Sequence, residues 1–210
     1  MSVPGWAVPD EPKPAPGPLL LVQSLVNTLD RGAGTDVLAG GRAAASWLRQ
    51  AGLLGAADRA GPADLRMARQ VRESIRALLA ANGGAAGPAD GQLAPLRELA
   101  ARAAIGLEIS PAGQVGLQPR APGALAAGLA GLLVTIRDAQ RDGTWTRLRA
   151  CANDDCQWAF YDRSHSRRGA WCDMAACGNR IKNRNLRARR ALPPGPPPAA
   201  GNTTALARRS

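Results

Sequence analysis

The residues with the clearest capacity for chemistry in this chain are its four cysteines. Cys151, Cys156, Cys172 and Cys177 lie within 27 consecutive positions, in a C-x4-C-x15-C-x4-C pattern. Two short-spaced pairs separated by a longer loop can surround one tetrahedral ion, and zinc binds thiolates at about 2.3 Å. Because four cysteines fill every coordination position, the pattern predicts a structural Zn²⁺ site with no open catalytic position.

Other uses of the same cysteines stay open at this point: disulfides, an iron–sulfur cluster or free thiols. The N-terminal residues show no secretory pattern, so we expect a cytoplasmic protein with reduced thiols, which favours metal binding over disulfides. His165, the single histidine, lies between the two pairs. It could replace a cysteine as ligand or act as a base, but beside four cysteines it is expected to be a solvated loop residue.

Basic residues are concentrated at the same end of the chain. Residues 163–210 hold eleven Lys or Arg and one acid, Asp173, whereas residues 1–162 hold sixteen basic and fifteen acidic residues. Nearly all of the net charge of +11 therefore belongs to the segment that contains the second cysteine pair and the C-terminal residues. A segment of this charge is typical of a surface that contacts phosphate groups.

The sequence after Cys172 is predicted to form a helix that runs to about residue 191. On a helical wheel, Arg180, Arg184 and Arg187 fall within about 60° of one another. The predicted nucleic-acid contacts are these three residues together with two on another face, Lys182 and Arg189. The alternatives are a solvated helix with generic charge and, for Arg180, a structural role in which it pairs with Asp162 or caps a carbonyl near the metal.

Aromatic residues cluster between the cysteine pairs. Trp158, Phe160 and Tyr161 suit a short strand, and residues 170–171 are the predicted returning strand. These side chains either pack around the metal or, for Trp158 or Tyr161, stack on bases.

Helical periodicity dominates the rest of the chain. Five helices are predicted, beginning near Leu19, Asp36, Pro62, Leu93 and Gly123, with one β-hairpin around residues 111–113. The predicted fold is mainly α: a multihelical N-terminal domain with one small β-hairpin, plus a small C-terminal four-cysteine zinc finger with a short β-hairpin and a helix. The predicted boundaries are a disordered Pro-rich leader at 1–17, the helical domain at 18–148, the finger at 149–192 and a disordered tail at 193–210.

Several function classes are disfavoured. The most apolar uncharged run, residues 121–136, is short for a membrane span, so no membrane partner is expected. The helical region shows no nucleophile–base pairing, phosphate loop or carboxylate constellation, so an enzyme is not expected. Asn27 and Thr28 either line a pocket between helices or cross-link helices in the core.

The cysteine region resembles a known family. Phe160 to Ser164 (FYDRS), Trp171-Cys172 and Cys177-Gly178-Asn179-Arg180-x-Lys182 are similar to the CGNR zinc finger. Upstream, Leu25-Val26-Asn27-Thr28 and Trp47-Leu48 are similar to the ABATE domain of stress-induced transcription regulators.

Together these resemblances cover about residues 19–191. They imply zinc binding by the four cysteines and binding of DNA. The expected function is a bacterial DNA-binding transcription regulator, cytoplasmic and associated with the nucleoid, whose helical domain senses a small molecule or a protein partner. The alternative is a zinc-stabilised RNA-binding or protein–protein interaction module.

Overall fold

A computed structural model describes residues 4–8 and 11–191. The helices are α1 Leu19–Asn27, α2 Gly41–Gln50, α3 Pro62–Asn82, α4 Asp90–Arg102, α5 Ala124–Arg141 and α6 Asn179–Ala191. The strands are β1 Leu29–Asp30, β2 Thr35–Asp36, β3 Ala104–Ile109, β4 Val115–Arg120, β5 Leu148–Ala150 and β6 Ala159–Tyr161. They form three antiparallel two-stranded sheets, β1–β2, β3–β4 and β5–β6. The predicted fold class is confirmed.

Helix α3 is the centre of the helical domain, because it contacts α1, α4 and α5 as well as β5. Its apolar residues recur at helical spacing, and Val71, Ile75 and Leu79 are completely buried. The helix begins at Pro62, where the Asp64 carboxylate accepts a hydrogen bond from Gly61 N at 2.8 Å. The apolar periodicity that predicted this helix therefore accounts for only part of its buried face, because Arg72 and Arg76 are buried as well.

The predicted second helix begins later than expected. Asp36 caps a short 3-10 turn, Val37–Ala39, by accepting a hydrogen bond from Leu38 N at 2.8 Å. Gly40 and Gly41 then adopt positive φ angles of 154° and 70°, which interrupt the helical path. Helix α2 therefore starts at Gly41 instead of Asp36.

The leader is another correction to the sequence prediction, since residues 11–17 pack against the protein. Tyr161 N donates to Lys13 O at 2.9 Å, and Ala15 N donates to the Gln23 side chain at 2.6 Å. Proline restricts the unfolded chain and so lowers the entropy lost when such a segment is ordered. The predicted disordered tail, residues 193–210, lies outside the described residues.

Strand pairing in the finger also differs from expectation. β6 does not pair with residues 170–171 but with β5, in the register Leu148↔Tyr161 and Ala150↔Ala159. Residue 170 instead accepts a single hydrogen bond, from Ala152 N at 2.9 Å. Both strands bury side chains in the core of the helical domain, so the metal-binding segment begins on a strand that the helices hold. Among the residues that the structure describes, no helix is long and apolar enough to cross a membrane.

Candidate metal centre and basic helix

The four cysteine sulfurs converge on one point. All four Sγ atoms lie within 4.8 Å of one another, with Cys156 3.7 Å and Cys177 3.8 Å from Cys172. A tetrahedral ion with metal–sulfur bonds of about 2.3 Å requires sulfur separations of about 3.8 Å. Cys156 is half-buried, and the other three cysteines are buried. The chain therefore presents a cluster of four cysteine sulfurs whose spacing could hold one metal ion.

Two loops and one helical turn position these sulfurs. Cys151 follows β5 directly, and a turn returns the chain to Cys156, whose N–H donates to Asn153 O at 2.8 Å. Gln157 leaves this turn at a φ of 49°. Cys177 lies within a single π-helical turn, Met174–Gly178, that leads into α6. The metal site and the basic helix are thus continuous in the chain.

Two polar residues support the second pair. Asp173, the one acid of the basic segment, caps the π-helical turn by accepting hydrogen bonds from Ala175 N at 2.6 Å and Ala176 N at 3.2 Å. The fully buried Asn153 places Nδ2 3.8 Å from the sulfur of Cys177, a donor for a thiolate. In the sequence, Asn153 resembles an ordinary turn residue and was not predicted to have this role.

The thiols perturb one another strongly. Hydrogen bonds from Cys156 and Cys172 lower the pKa of Cys151 to about 2. The pKa of Cys156 is raised to about 12, mainly because its proton is held by Cys151, and the pKa of Cys172 is raised for the same reason. Cys156 and Cys172 therefore keep their protons unless a cation binds, and only a cation could hold all four groups as thiolates. His165 is exposed on its loop and lies outside the cysteine cluster.

The aromatic residues of the finger serve as core. Phe160 is completely buried beside the cysteines, with Trp158 and Trp171 half-buried against the same cluster. Tyr161 is buried in the core of the helical domain. The core role predicted for these aromatic residues agrees with this burial, which leaves the ring of Tyr161 little surface for base stacking; the indole N–H of Trp158 donates to Glu11 at 2.9 Å.

A polar junction joins the finger to the helices. The Asn27 side chain bonds to both main-chain groups of Ala159, and Gln23 Nε2 donates to the same carbonyl at 3.1 Å. The buried Arg76 donates to Val26 O at 2.8 Å and to Gln157 O at 2.7 Å. Asn27 thus cross-links the core, and the i, i+4 spacing of Gln23 and Asn27 on an apolar helix was the available sequence signal.

Thr28 is also a core residue. Its hydroxyl donates to Leu25 O at 2.7 Å and accepts from the Arg72 guanidinium at 3.2 Å. Arg72 in turn forms two hydrogen bonds to Asp36, at 2.6 and 3.0 Å. Thr28 therefore joins α1 to α3.

Four cations of the basic helix α6 are exposed to solvent: Arg180, Lys182, Arg184 and Arg187. Arg180, Asn183, Arg184 and Arg187 line one shallow groove of about 370 Å³. Lys182 is exposed outside this groove, and the side chain of Arg189 is not among those that the structure describes. Arg184 lies 3.6 Å from Asp155, and both side chains are mostly exposed. Asp162, the suggested partner of Arg180, instead pairs with Arg149 at 3.6 Å and accepts hydrogen bonds from Ser164 N and Gly169 N.

The fold and the site together define a helical domain followed by a four-cysteine metal finger. Comparison with protein families agrees with this class: the CGNR zinc finger model matches residues 147–190. The ABATE model, whose description is "Putative stress-induced transcription regulator", matches residues 20–153, well over half of the chain. The chain therefore belongs to the ABATE family and carries a CGNR zinc finger after that domain, as the sequence motifs predicted.

The two matched ranges overlap at residues 147–153, which contain β5 and Cys151. This overlap agrees with the packing of β5 against both the helices and the finger. Neither matched family is an enzyme family. No curated protein matches the chain.

Proposed function

We propose that this protein is a DNA-binding transcription regulator whose zinc-anchored helix α6 contacts the phosphate backbone. The observation that carries the proposal is the groove on α6, which Arg180, Arg184 and Arg187 line together. A guanidinium group donates to phosphate oxygens in bidentate geometry, and three on one face suit successive phosphates. We place the protein in the cytoplasm, where its target DNA lies.

The groove is available to an anion. Arg180, Arg184 and Arg187 are exposed, and α6 contains no acidic residue. Arg184 does have a carboxylate neighbour, Asp155, but exposed ion pairs of this kind contribute about 0–1 kcal/mol. A phosphate could therefore replace Asp155 at small cost.

Zinc acts as scaffold in this proposal. The donor set consists of four cysteine thiolates at near-tetrahedral spacing. Such a donor set binds zinc in preference to harder cations such as Mg²⁺ or Ca²⁺. Binding of Zn²⁺ would fix Cys177, and with it the turn from which α6 begins. Cys151, Cys156, Cys172 and Cys177 hold the ion, and Lys182 and Arg189 would add contacts beside the groove.

Fluorescence anisotropy with labelled duplex DNA tests the proposal. The variant Arg180→Gln/Arg184→Gln/Arg187→Gln should bind at least about tenfold more weakly than the wild type. Its matched control, Arg42→Gln/Arg59→Gln/Arg66→Gln, removes the same charge from exposed positions of the helical domain and should bind like the wild type.

Equal losses in the two triple variants would show that only net charge matters and would overturn the role of α6. Unlabelled single-stranded RNA serves as competitor in the same assay. If this RNA displaces the labelled DNA from the protein more effectively than unlabelled duplex DNA does, the RNA-binding alternative replaces the proposal. Absence of binding to either nucleic acid would leave protein–protein interaction as the function of the finger.

A further inference from the structure

The β3–β4 hairpin exposes a continuous apolar face. Its register pairs Ile105 with Pro119, Leu107 with Leu117 and Ile109 with Val115, so all six side chains project to one side. Four of these residues are largely exposed: Ile105 at 54%, Leu107 at 72%, Ile109 at 72% and Val115 at 66%. Contiguous exposed apolar surface of this kind marks an interaction site.

Strand β3 also has a free edge. β4 packs on α5, and no third strand pairs with β3 in residues 4–8 and 11–191. Ser110 N donates to Gln114 O at 2.9 Å at the hairpin end. Antiparallel hydrogen-bonded pairs recur at every second residue, so the main-chain groups of Ile105, Leu107 and Ile109 point away from β4. Such an edge is a template for another strand.

The opposite face of the hairpin carries complementary charges. The Arg120 side chain lies over Gly106, with its Nε 3.8 Å and its Cζ 3.9 Å from the position that a Cβ on Gly106 would occupy. Glu108 is exposed on the same face, two residues along β3. A carboxylate brought opposite Gly106 would therefore meet the Arg120 guanidinium.

We propose that the occupant of this edge is a second copy of the chain, which pairs β3 with β3 antiparallel about a two-fold axis at Leu107. In this register Glu108 of one copy lies opposite Gly106 of the other, beside Arg120. The two-fold axis forms this ion pair twice. The outward main-chain groups of Ile105, Leu107 and Ile109 are all paired in the resulting four-stranded sheet.

The same register accounts for the apolar face. Ile109 of one copy lies opposite Ile105 of the other. Ile105 lines an apolar groove of about 310 Å³ between the hairpin, α4 and α5, whose other walls include Ala103 and Leu133. The exposed tip of each hairpin is thereby placed over the groove of its partner. The protein is thus a dimer whose interface is distinct from the metal centre and α6.

Sedimentation equilibrium of the full, zinc-loaded chain tests this interface. The wild type should be a dimer. Leu107→Lys places two cations together on the two-fold axis and should raise the dimer dissociation constant by about tenfold or more. Glu108→Arg and Arg120→Glu should each weaken self-association, because each homodimer then contains two like-charge contacts. These residues are exposed, so unchanged circular dichroism and zinc content verify folding.

Mixing the two charge variants gives the sharpest result. In a heterodimer of Glu108→Arg with Arg120→Glu, both contacts again join opposite charges, so the mixture should recover dimerisation. A monomeric wild type, a dimer insensitive to Leu107→Lys or a mixture that stays monomeric would each overturn the proposal. Capture of another protein's strand by a chain that does not self-associate would likewise overturn it.

Discussion

The side-chain amide of Asn27 forms hydrogen bonds with both main-chain groups of Ala159. Its Nδ2 donates to Ala159 O at 2.9 Å, and Ala159 N donates to its Oδ1 at 2.7 Å. The Asn27 amide thereby makes the two hydrogen bonds that the main chain of a neighbouring strand would make on the side of β6 that faces away from β5. The last residue of α1 thus holds the finger strand, and the helices and the metal finger share one polar junction.

Replacing Asn27 by alanine should therefore be costly. The change leaves the buried Ala159 N–H without a partner, although Gln23 still donates to the carbonyl. We expect Asn27→Ala to lower the free energy of unfolding by about 2–3 kcal/mol in urea denaturation. Asn183→Ala, at an exposed position of α6, is the control and should change it by less than about 0.5 kcal/mol. Equal changes in the free energy of unfolding for the two variants would show that the hydrogen bonds of Asn27 do not stabilise the fold.

Close packing of α5 gives a second prediction. A Cβ on Gly128 would lie 2.8 Å from the Cα of Leu53, whereas a Cβ on Gly131, in the same helix, meets nothing within 4 Å. Gly128→Ala should lower the thermal unfolding temperature, because the backbone at Leu53 must move. Gly131→Ala should instead stabilise by about 0.5–1 kcal/mol through helix propensity. A Gly128→Ala protein as stable as Gly131→Ala would contradict this contact.

Burial of Glu11 predicts a pH dependence. Desolvation raises the pKa of this carboxyl above its usual 4.5, although Trp158 and Asn27 donate to it. The folded state therefore holds the proton more strongly than the unfolded state, and the contribution of Glu11 to stability falls as the pH rises from about 4.5 through the folded pKa.

Glu11→Gln removes this titration but keeps an acceptor for Trp158 and Asn27. Its stability relative to the wild type should therefore increase as the pH rises above about 4.5, measured by urea denaturation at a series of pH values. A difference that does not change with pH would show that Glu11 has an ordinary pKa in the folded protein.

Metal removal should affect α6 selectively. β5 and β6 are buried in the helical core, whereas the 13-residue α6 is attached through Cys172 and Cys177. Chelation, or the change Cys172→Ser, should reduce the helical circular dichroism by about the share of α6 and leave the cooperative unfolding of the other helices. The wild type should contain about one zinc per chain. Loss of the whole fold on chelation would mean that the helices also depend on the ion.

Local patterns in the sequence predicted much of this fold. Helical periodicity located α3 and the apolar part of its buried face, and the alternation around residues 111–113 located β3 and β4. The spacing of the cysteines predicted their cluster because each pair is closed by a short loop. These features depend on residues close together in the chain, where propensity and periodicity are informative.

The features that the sequence did not predict depend on distant partners. Lys13 is ordered by a bond to Tyr161, and Arg76 is buried because its guanidinium satisfies carbonyls on both α1 and the first cysteine loop. The three residues of β5, Leu148–Ala150, carried no signal in the sequence that they pair with β6. Such contacts join residues far apart in sequence, which periodicity cannot detect.

Binding of the phosphate backbone by α6 is tested most directly by the salt dependence of DNA binding. For the wild type, the logarithm of the association constant should fall linearly with the logarithm of salt concentration. Removing Arg180, Arg184 and Arg187 should make this slope shallower by about 2–3, since each phosphate contact contributes about 0.9. The Arg42, Arg59 and Arg66 control should keep the wild-type slope. Identical slopes for the wild type and the α6 variant, or binding without salt dependence, would show that α6 does not contact the phosphate backbone.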